Sequence, residues 1–219
     1  MRNSKKFTGK ENHAITVAEA VVFIRDYKNN YGQDAQAGCF FDKRVVKSLI
    51  GQPGAVGMRY YYGYSSSGEE QLVLVGADAA RNDLIDSQLV KASISNPPLG
   101  TDGNYTGDVS DHQITLSKAG LLTERYQKSL QVGDIKGGFF GKEAIQRLLD
   151  HAPGIGIRFF FGAKKDGTRV MVLMCVDNKG QDLFYGPLAE ISYLCPPHCG
   201  EFNVLNIHSS QRAKLSHLK

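Results

Sequence analysis

Arg59 and Arg158 are the residues most open to a chemical reading. Each interrupts an aromatic run, Gly57-Met-Arg-Tyr-Tyr-Tyr-Gly63 and Gly156-Ile-Arg-Phe-Phe-Phe-Gly162. A guanidinium on such a strand either pairs with a carboxylate and stacks on rings, or clamps an anion such as phosphate. Strand alternation puts Arg59 on the face of Tyr61 and Arg158 on that of Phe160. The structural role is expected, with each side chain partly exposed and stacked on its ring. The aromatic runs are expected to fill a core and not to stack nucleobases, because they lack the basic flanks of a base-stacking sheet.

His13 and His112 precede helix starts, where an imidazole feels the helix dipole. A general base needs a nucleophile or acid within reach. No Ser, Cys or carboxylate recurs beside these histidines at a telling spacing, so a local contact is expected. Arg59, Arg158, His13 and His112 are the candidate ligand-binding residues. No catalytic residue is assigned.

Asp78/Asp83 and Asp177/Asp182 repeat a D-x4-D spacing with too few oxygens for a calcium loop, and polar turns are expected. Cys195-Pro-Pro-His-Cys199 admits three states: free thiols, a local disulfide in an oxidising compartment, or a metal site completed by His198 or His208. Free thiols are the leading expectation, because Asn96 and Gly100 stand at the matching earlier positions. Cys195 and Cys199 are the one weak metal candidate. Cys39 and Cys175 read as small buried hydrophobes. Phosphate-loop, dinucleotide, nucleophile-elbow and zinc-protease motifs are lacking, and no cofactor is expected.

These residues recur in pairs because the chain repeats itself. His13-Ala-Ile-Thr16 returns as His112-Gln-Ile-Thr115, Gly38–Lys43 as Gly137–Lys142, and Pro97-Pro98 as Pro196-Pro197. The offset of 99 residues is too long for a solenoid repeat and suits a small domain. The expected organisation is a basic tail over 1–12, a first unit over 13–98, a Gly/Pro/Asp linker over 99–111, a second unit over 112–199 and a basic tail over 200–219.

Each unit needs a framework to hold its arginine and histidine. Thr16 with Glu19 makes a capping box before a helix carrying Val17, Ala20, Ile24, Tyr27 and Tyr31 at helical spacing. Thr115 caps its counterpart. A second helix follows Phe40-Phe41, with Asp42 as N-cap, and another follows Phe139-Phe140. The Phe pairs are expected to plug gaps between helices and sheet. Hairpins then turn at Gly68 and Gly167. Their second strands, Gln71–Ala77 and Arg169–Val176, are apolar on both faces and so read as interior strands. Either a third strand lies within 85–94 and 184–194, or the two units join sheets. The fold class is therefore α+β, with two tandem units each of two helices and a small antiparallel sheet, packed as a pseudo-twofold pair.

The net charge of +4 is concentrated at the ends. Arg2, Lys5, Lys6 and Lys10 lie within the first 14 residues, and Arg212, Lys214 and Lys219 near the last. A nucleic-acid-binding domain shows its basic footprint on the folded body, so nucleic acid is not an expected partner. No apolar run approaches the roughly 18 residues of a membrane helix. The polar start lacks an apolar signal core, so the expectation is a soluble cytoplasmic chain. With the pair interface inside one chain, a monomer is compatible with the pattern. The leading functional expectation is a non-enzymatic binding or interaction module, with an unknown protein or small ligand as partner. The alternatives are a small-molecule or anion site, or an enzyme, in the cleft between the units, and nucleic-acid binding through the basic tails.

Overall fold

The computed structural model describes residues 6–85, 90–131 and 133–206. Its helices are α1 (Val17–Tyr31), α2 (Lys43–Ile50), α3 (Leu116–Gln127) and α4 (Lys142–Asp150), with a 3-10 turn at Val109–His112. The strands are β1 (Gly38–Asp42), β2 (Gly57–Tyr64), β3 (Glu70–Ala77), β4 (Val90–Ala92), β5 (Gly137–Gly141), β6 (Gly156–Ala163), β7 (Arg169–Val176), β8 (Leu188–Ala189) and β9 (Tyr193–Cys195). The fold is α+β, and both sheets are antiparallel, in the orders β1-β6-β7-β8 and β4-β3-β2-β5-β9. None of the described helices is long and apolar enough to cross a membrane.

Local chemistry starts the helices. The Thr16 hydroxyl accepts the Glu19 N–H at 3.2 Å, and Glu19 Oε2 accepts the Thr16 N–H at 2.8 Å, closing the capping box. The Thr115 hydroxyl accepts the Lys118 N–H at 3.3 Å without a returning carboxylate. Asp42 Oδ1 accepts the Arg44 N–H at 2.6 Å and caps α2. The short helices bury Val45, Val46, Leu49 and Ile50 on α2, and Ala144, Ile145, Leu148 and Leu149 on α4.

The Phe pairs form strands, and one ring of each pair shares the core with the helix residues Val45, Val46, Ile145 and Leu148, as the expected plugs would. Successive side chains in a strand serve opposite faces, and both faces here are apolar. Phe41 and Phe140 enter the core shared by the sheets, while Phe139 stacks on Phe7 at 3.7 Å and Phe40 meets Tyr105 edge-on at 5.8 Å. These two strands also carry the long-range pairing. β1 lies on β6 with Phe41 opposite Ile157, and β5 lies on β2 with Phe140 opposite Met58. Gly57 and Gly156 are required there, since a Cβ on either would collide with the carbonyl of Phe140 or Phe41.

The interior strands gain neighbours from both sources anticipated in the sequence. Sheets are joined across the chain, and β4 and β8 add short third strands beside β3 and β7. One apolar core fills the space between the sheets, with Tyr60, Tyr62, Leu72 and Leu74 from one and Ile157, Phe159, Phe161, Met171 and Leu173 from the other. α1 covers the outer face of β6–β7, and α3 that of β2–β3. Residues 196–206, which the sequence suggested were a free tail from position 200, pack back onto α3 and the loop after β3.

Candidate functional site

Arg59 lies on the α3-covered face of β2 and is wholly buried. Its Nη1 donates to Asp83 Oδ1 at 2.7 Å and to the Arg81 carbonyl at 3.0 Å, and its Nη2 to the His198 carbonyl at 3.0 Å. Tyr61 donates its hydroxyl to Asp83 Oδ2 at 2.6 Å, and Asn203 Nδ2 donates to the same oxygen at 2.7 Å. Burial opposes the guanidinium charge, but Tyr61 and Asp83 outweigh it and the Arg59 pKa rises. Burial and the neighbouring Asp83 charge push the Tyr61 hydroxyl well above its ordinary value. The expectation of a partly exposed, ring-stacked Arg59 is thus corrected. Chain 198–206 folds over it and supplies the His198 carbonyl, while the Arg59 Nε is buried without a hydrogen-bond partner.

Arg158 fits that expectation closely. Its side chain is 11% exposed and its guanidinium sits 5.8 Å from the Phe160 ring centre. Nε donates to Asp182 Oδ1 at 2.7 Å, Nη1 to Asn96 Oδ1 at 3.0 Å and Nη2 to the Gly180 carbonyl at 3.2 Å. Both arginines therefore bind the second aspartate of a D-x4-D turn. The first aspartate organises the turn itself: Asp78 Oδ1 accepts the Asn82 N–H at 2.7 Å, and Asp177 Oδ1 accepts the Lys179 and Gln181 N–H groups at 2.8 Å. The pairing was legible in principle, because arginine and aspartate are separated by 24 residues both times.

His13 and His112 are fully buried and hold helix starts across the chain. His13 Nε2 accepts the N–H of Gly141, the N-cap of α4, at 2.9 Å, and Nδ1 faces the Ile191 carbonyl at 2.7 Å. His112 Nε2 accepts the N–H of Asp42, the N-cap of α2, at 3.3 Å, and Nδ1 faces the Ala92 carbonyl at 2.9 Å. Nδ1 carries the proton in each, since only that tautomer satisfies both contacts. Burial lowers the His13 pKa and keeps the ring neutral.

Cys195 and Cys199 form a disulfide, in place of the expected free thiols. The Pro-Pro-His reversal brings their Cα atoms to 4.7 Å, within reach of a bridge, and the bond occupies the sulfurs a metal would use. Among the described residues no group of three or more His, Cys, Asp or Glu could hold a metal ion. Cys39 and Cys175 are buried, and burial pushes their thiols up to about 12 and about 11.

Arg59, Arg158, His13 and His112 are not among the described residues lining either of two cavities, although the first cavity shares Asp83 and Asn203 with the Arg59 cluster. The first, about 550 Å³, is walled by Gln52 and Pro53, by Asp78 and the loop 82–85, and by Glu201, Phe202 and Asn203. Phe202 is 65% exposed at its rim. Carboxylates, amides and apolar side chains make up its wall, with no cysteine, serine or histidine among the described lining residues. The second, about 420 Å³, lies between Tyr31 of α1, Tyr126 of α3 and Arg169 of β7. Arg169 pairs with Glu70 at 2.9 Å amid tyrosines, a contact that sequence reasoning missed. Its signal was present: positions 70 and 169 match under the 99-residue offset and differ in charge sign.

No protein-family model, curated protein or solved structure matches this chain.

Proposed function

We propose that this chain is a non-catalytic binding or interaction module, made of two copies of one α+β unit that exchange strands about a pseudo-twofold axis. Element bounds support the duplication: β1, β2 and β3 recur 99 residues later as β5, β6 and β7. So does the reciprocal pairing, in which β1 lies on β6 as β5 lies on β2. A fused pair of this kind has a twofold-type interface inside one chain. The functional reading is carried by one observation: the arginines and histidines that recur at matching positions all spend their hydrogen bonds inside the fold. Among the hydrogen bonds described for these four residues, none goes to a serine or cysteine side chain.

The 550 Å³ cleft is the candidate ligand site on this reading, taking a small polar molecule against Phe202 and the surrounding oxygens. Its test is an amide-shift titration of labelled protein against a metabolite library. Saturable shifts at Asn82 and Glu201–Asn203, lost in Phe202→Ala, are expected. Turnover of any library member would overturn the non-catalytic reading. The pseudo-dimer has its own test, cutting the chain near Gly103. The halves should remain bound to each other, since each sheet takes strands from both; two stable, independent monomers by light scattering would refute it.

The second reading, a small-molecule or anion site or an enzyme between the units, draws on the Arg169 cavity, where α1, α3 and β7 meet. Phosphate titration followed at Thr168 and Arg169 tests it. The third, nucleic-acid binding, rests on basic ends that fall mostly outside the described residues. The disulfide favours an oxidising compartment over the cytoplasm.

A further inference from the structure

Cys195 and Cys199 are joined to each other, yet the chain on either side of the bridge is also held by contacts that do not depend on it. Cys195 ends β9 opposite Gly137 of β5, and its carbonyl accepts the Lys136 N–H at 2.7 Å. Within the loop, the His198 N–H donates to the Leu194 carbonyl at 2.9 Å, and the His198 carbonyl accepts Arg59 Nη2 at 3.0 Å. Beyond Cys199, the Glu201 N–H donates to Asn82 Oδ1 at 3.1 Å and Asn203 Nδ2 to Asp83 Oδ2 at 2.7 Å. Leu205 is buried in one cluster with Tyr61, Val73 and Val75. Opening the bridge therefore leaves both cysteines anchored close together in a folded chain.

The segment 99 residues earlier forms without a bridge. Phe40 pairs with Ile94 there as Phe139 pairs with Tyr193 here, and Asn96 and Gly100 stand where the cysteines stand. A loop of five residues is also at the weak end of what cross-linking contributes to a fold. Access to the two sulfurs is one-sided. Cys195 is buried, whereas Cys199 is partly exposed beside the exposed Pro197. An attacking thiolate needs a path to one sulfur of the bond, and Cys199 offers it. Burial and the charges of Arg81 and Arg59 lower the pKa of His198, and such positive charge next to Cys199 favours a thiolate there. Cys39 and Cys175 are buried and stand outside this chemistry.

We propose that Cys195–Cys199 is an exchange site for thiols, opened and closed while the fold stays intact. A thiolate attacks Cys199 Sγ and forms a mixed disulfide. The Cys195–Cys199 bond breaks, and its electron pair leaves on Cys195 as a thiolate. A second thiolate attacks the outer sulfur of the mixed disulfide, and Cys199 leaves as a thiolate in turn. Two thiols have become one disulfide, the cysteine pair has gained two electrons, and each new thiolate takes its proton from water. The substrate class is a cysteine thiol, free or carried by a polypeptide. The exchange is stoichiometric and independent of the cleft reading.

The test incubates the intact protein, under native conditions, with graded mixtures of reduced and oxidised glutathione, and separately with a capped peptide carrying one cysteine. Acid quenching, alkylation and mass spectrometry report each cysteine, and the amide spectrum reports the fold. Cys195 and Cys199 should become alkylated together and reversibly, with Cys39 and Cys175 unlabelled and the Val172 and Leu173 amides of the other sheet unmoved. Opening by glutathione shows that a free thiol suffices; opening by the peptide alone makes the thiol a polypeptide's. Cys195→Ser should trap glutathione on Cys199, and Cys199→Ser should leave Cys195 unmodified. A bridge that stays closed in both series until denaturant is added overturns the proposal. So does opening that also labels Cys39 and Cys175, because the fold and not the pair would then have opened. The titration of the native protein decides the matter even where a single variant fails to fold.

Discussion

Glu70 and Arg169 face each other across the seam between β3 and β7, Oε1 to Nη1 at 2.9 Å, at positions 99 residues apart. Arg169 Nη2 adds a contact to Glu70 Oε2 at 3.1 Å, and Tyr27 donates its hydroxyl to that oxygen at 3.0 Å. The guanidinium lies 4.3 Å from the Tyr62 ring centre, with Tyr31 at 5.2 Å, Phe161 at 5.3 Å and Tyr27 at 5.5 Å. In a dimer of identical units, matching positions at an axis bring like charges together. A single chain can place opposite charges there, which is how the proposed fusion makes the seam attractive.

Arg169→Ala should therefore strand Glu70 among tyrosines and cost about 3–5 kcal/mol, the usual range for breaking a buried pair. The reversed double variant E70R/R169E should recover a large part of the loss. Denaturant melts of the two variants decide it: a double variant no more stable than Arg169→Ala would deny the coupling.

Arg59 and Arg158 occupy matching positions, yet their removal should not cost the same. Arg59→Ala leaves Asp83 buried with Tyr61 and Asn203 and should cost about 3–5 kcal/mol. Arg158→Ala, at a part-exposed site, should cost about 1–2 kcal/mol through lost packing of its stem. Equal losses in parallel urea melts would show that residues 198–206 contribute nothing to the burial of Arg59.

Glu190 is buried, and burial raises its pKa to about 7 against the opposing effects of the Lys164 charge and the Ser192 backbone. The folded state then holds more protons than the unfolded state between the ordinary carboxylate value of 4.5 and about 7. Stability from this group is complete below pH 4.5 and falls as pH rises through that window. His13 acts oppositely: its lowered pKa makes the folded state lose stability as pH drops below 6.5. Glu190→Gln should remove the first slope, so its stability relative to the native chain should improve by up to about 3 kcal/mol between pH 4.5 and pH 8. Melts at those two values check it, and a constant difference would place the Glu190 carboxyl in water.

The Cys195–Cys199 bridge closes a five-residue loop just before residues 200–206 fold back onto Asp83 and α3. Unfolding without reductant should release only the thiols of Cys39 and Cys175 to a thiol reagent. The Cys195→Ser, Cys199→Ser double variant should lose about 2 kcal/mol by the loop-closure relation. Four reactive thiols in the non-reduced, denatured protein would show the bridge unformed.

Much of the local architecture was legible before any coordinates. Thr16 with Glu19, Thr115, and Asp42 announced their helices, because a cap is made by groups three residues apart. Gly68 and Gly167 marked the hairpin turns for the same reason. The 99-residue recurrence predicted matching elements, and the double-sided apolar pattern of 71–77 and 169–176 showed that interior strands needed neighbours on both sides.

What the sequence determined by itself is therefore whatever a few adjacent residues decide: caps, turns and strand faces. Tertiary structure alone decided that Phe41 meets Ile157 and Phe140 meets Met58, since pairing across more than 80 residues depends on which apolar faces close together. It decided that His13 and His112 hold the starts of distant helices, and that Arg59 is sealed while Arg158 is not. The aromatic runs around the two arginines are alike, and the difference comes from Asn203, Leu205 and Asn206, which reach β2 and α3 only after the chain has folded back over them. Burial is a property of what covers a residue, and here the cover lies more than 130 residues away in the chain.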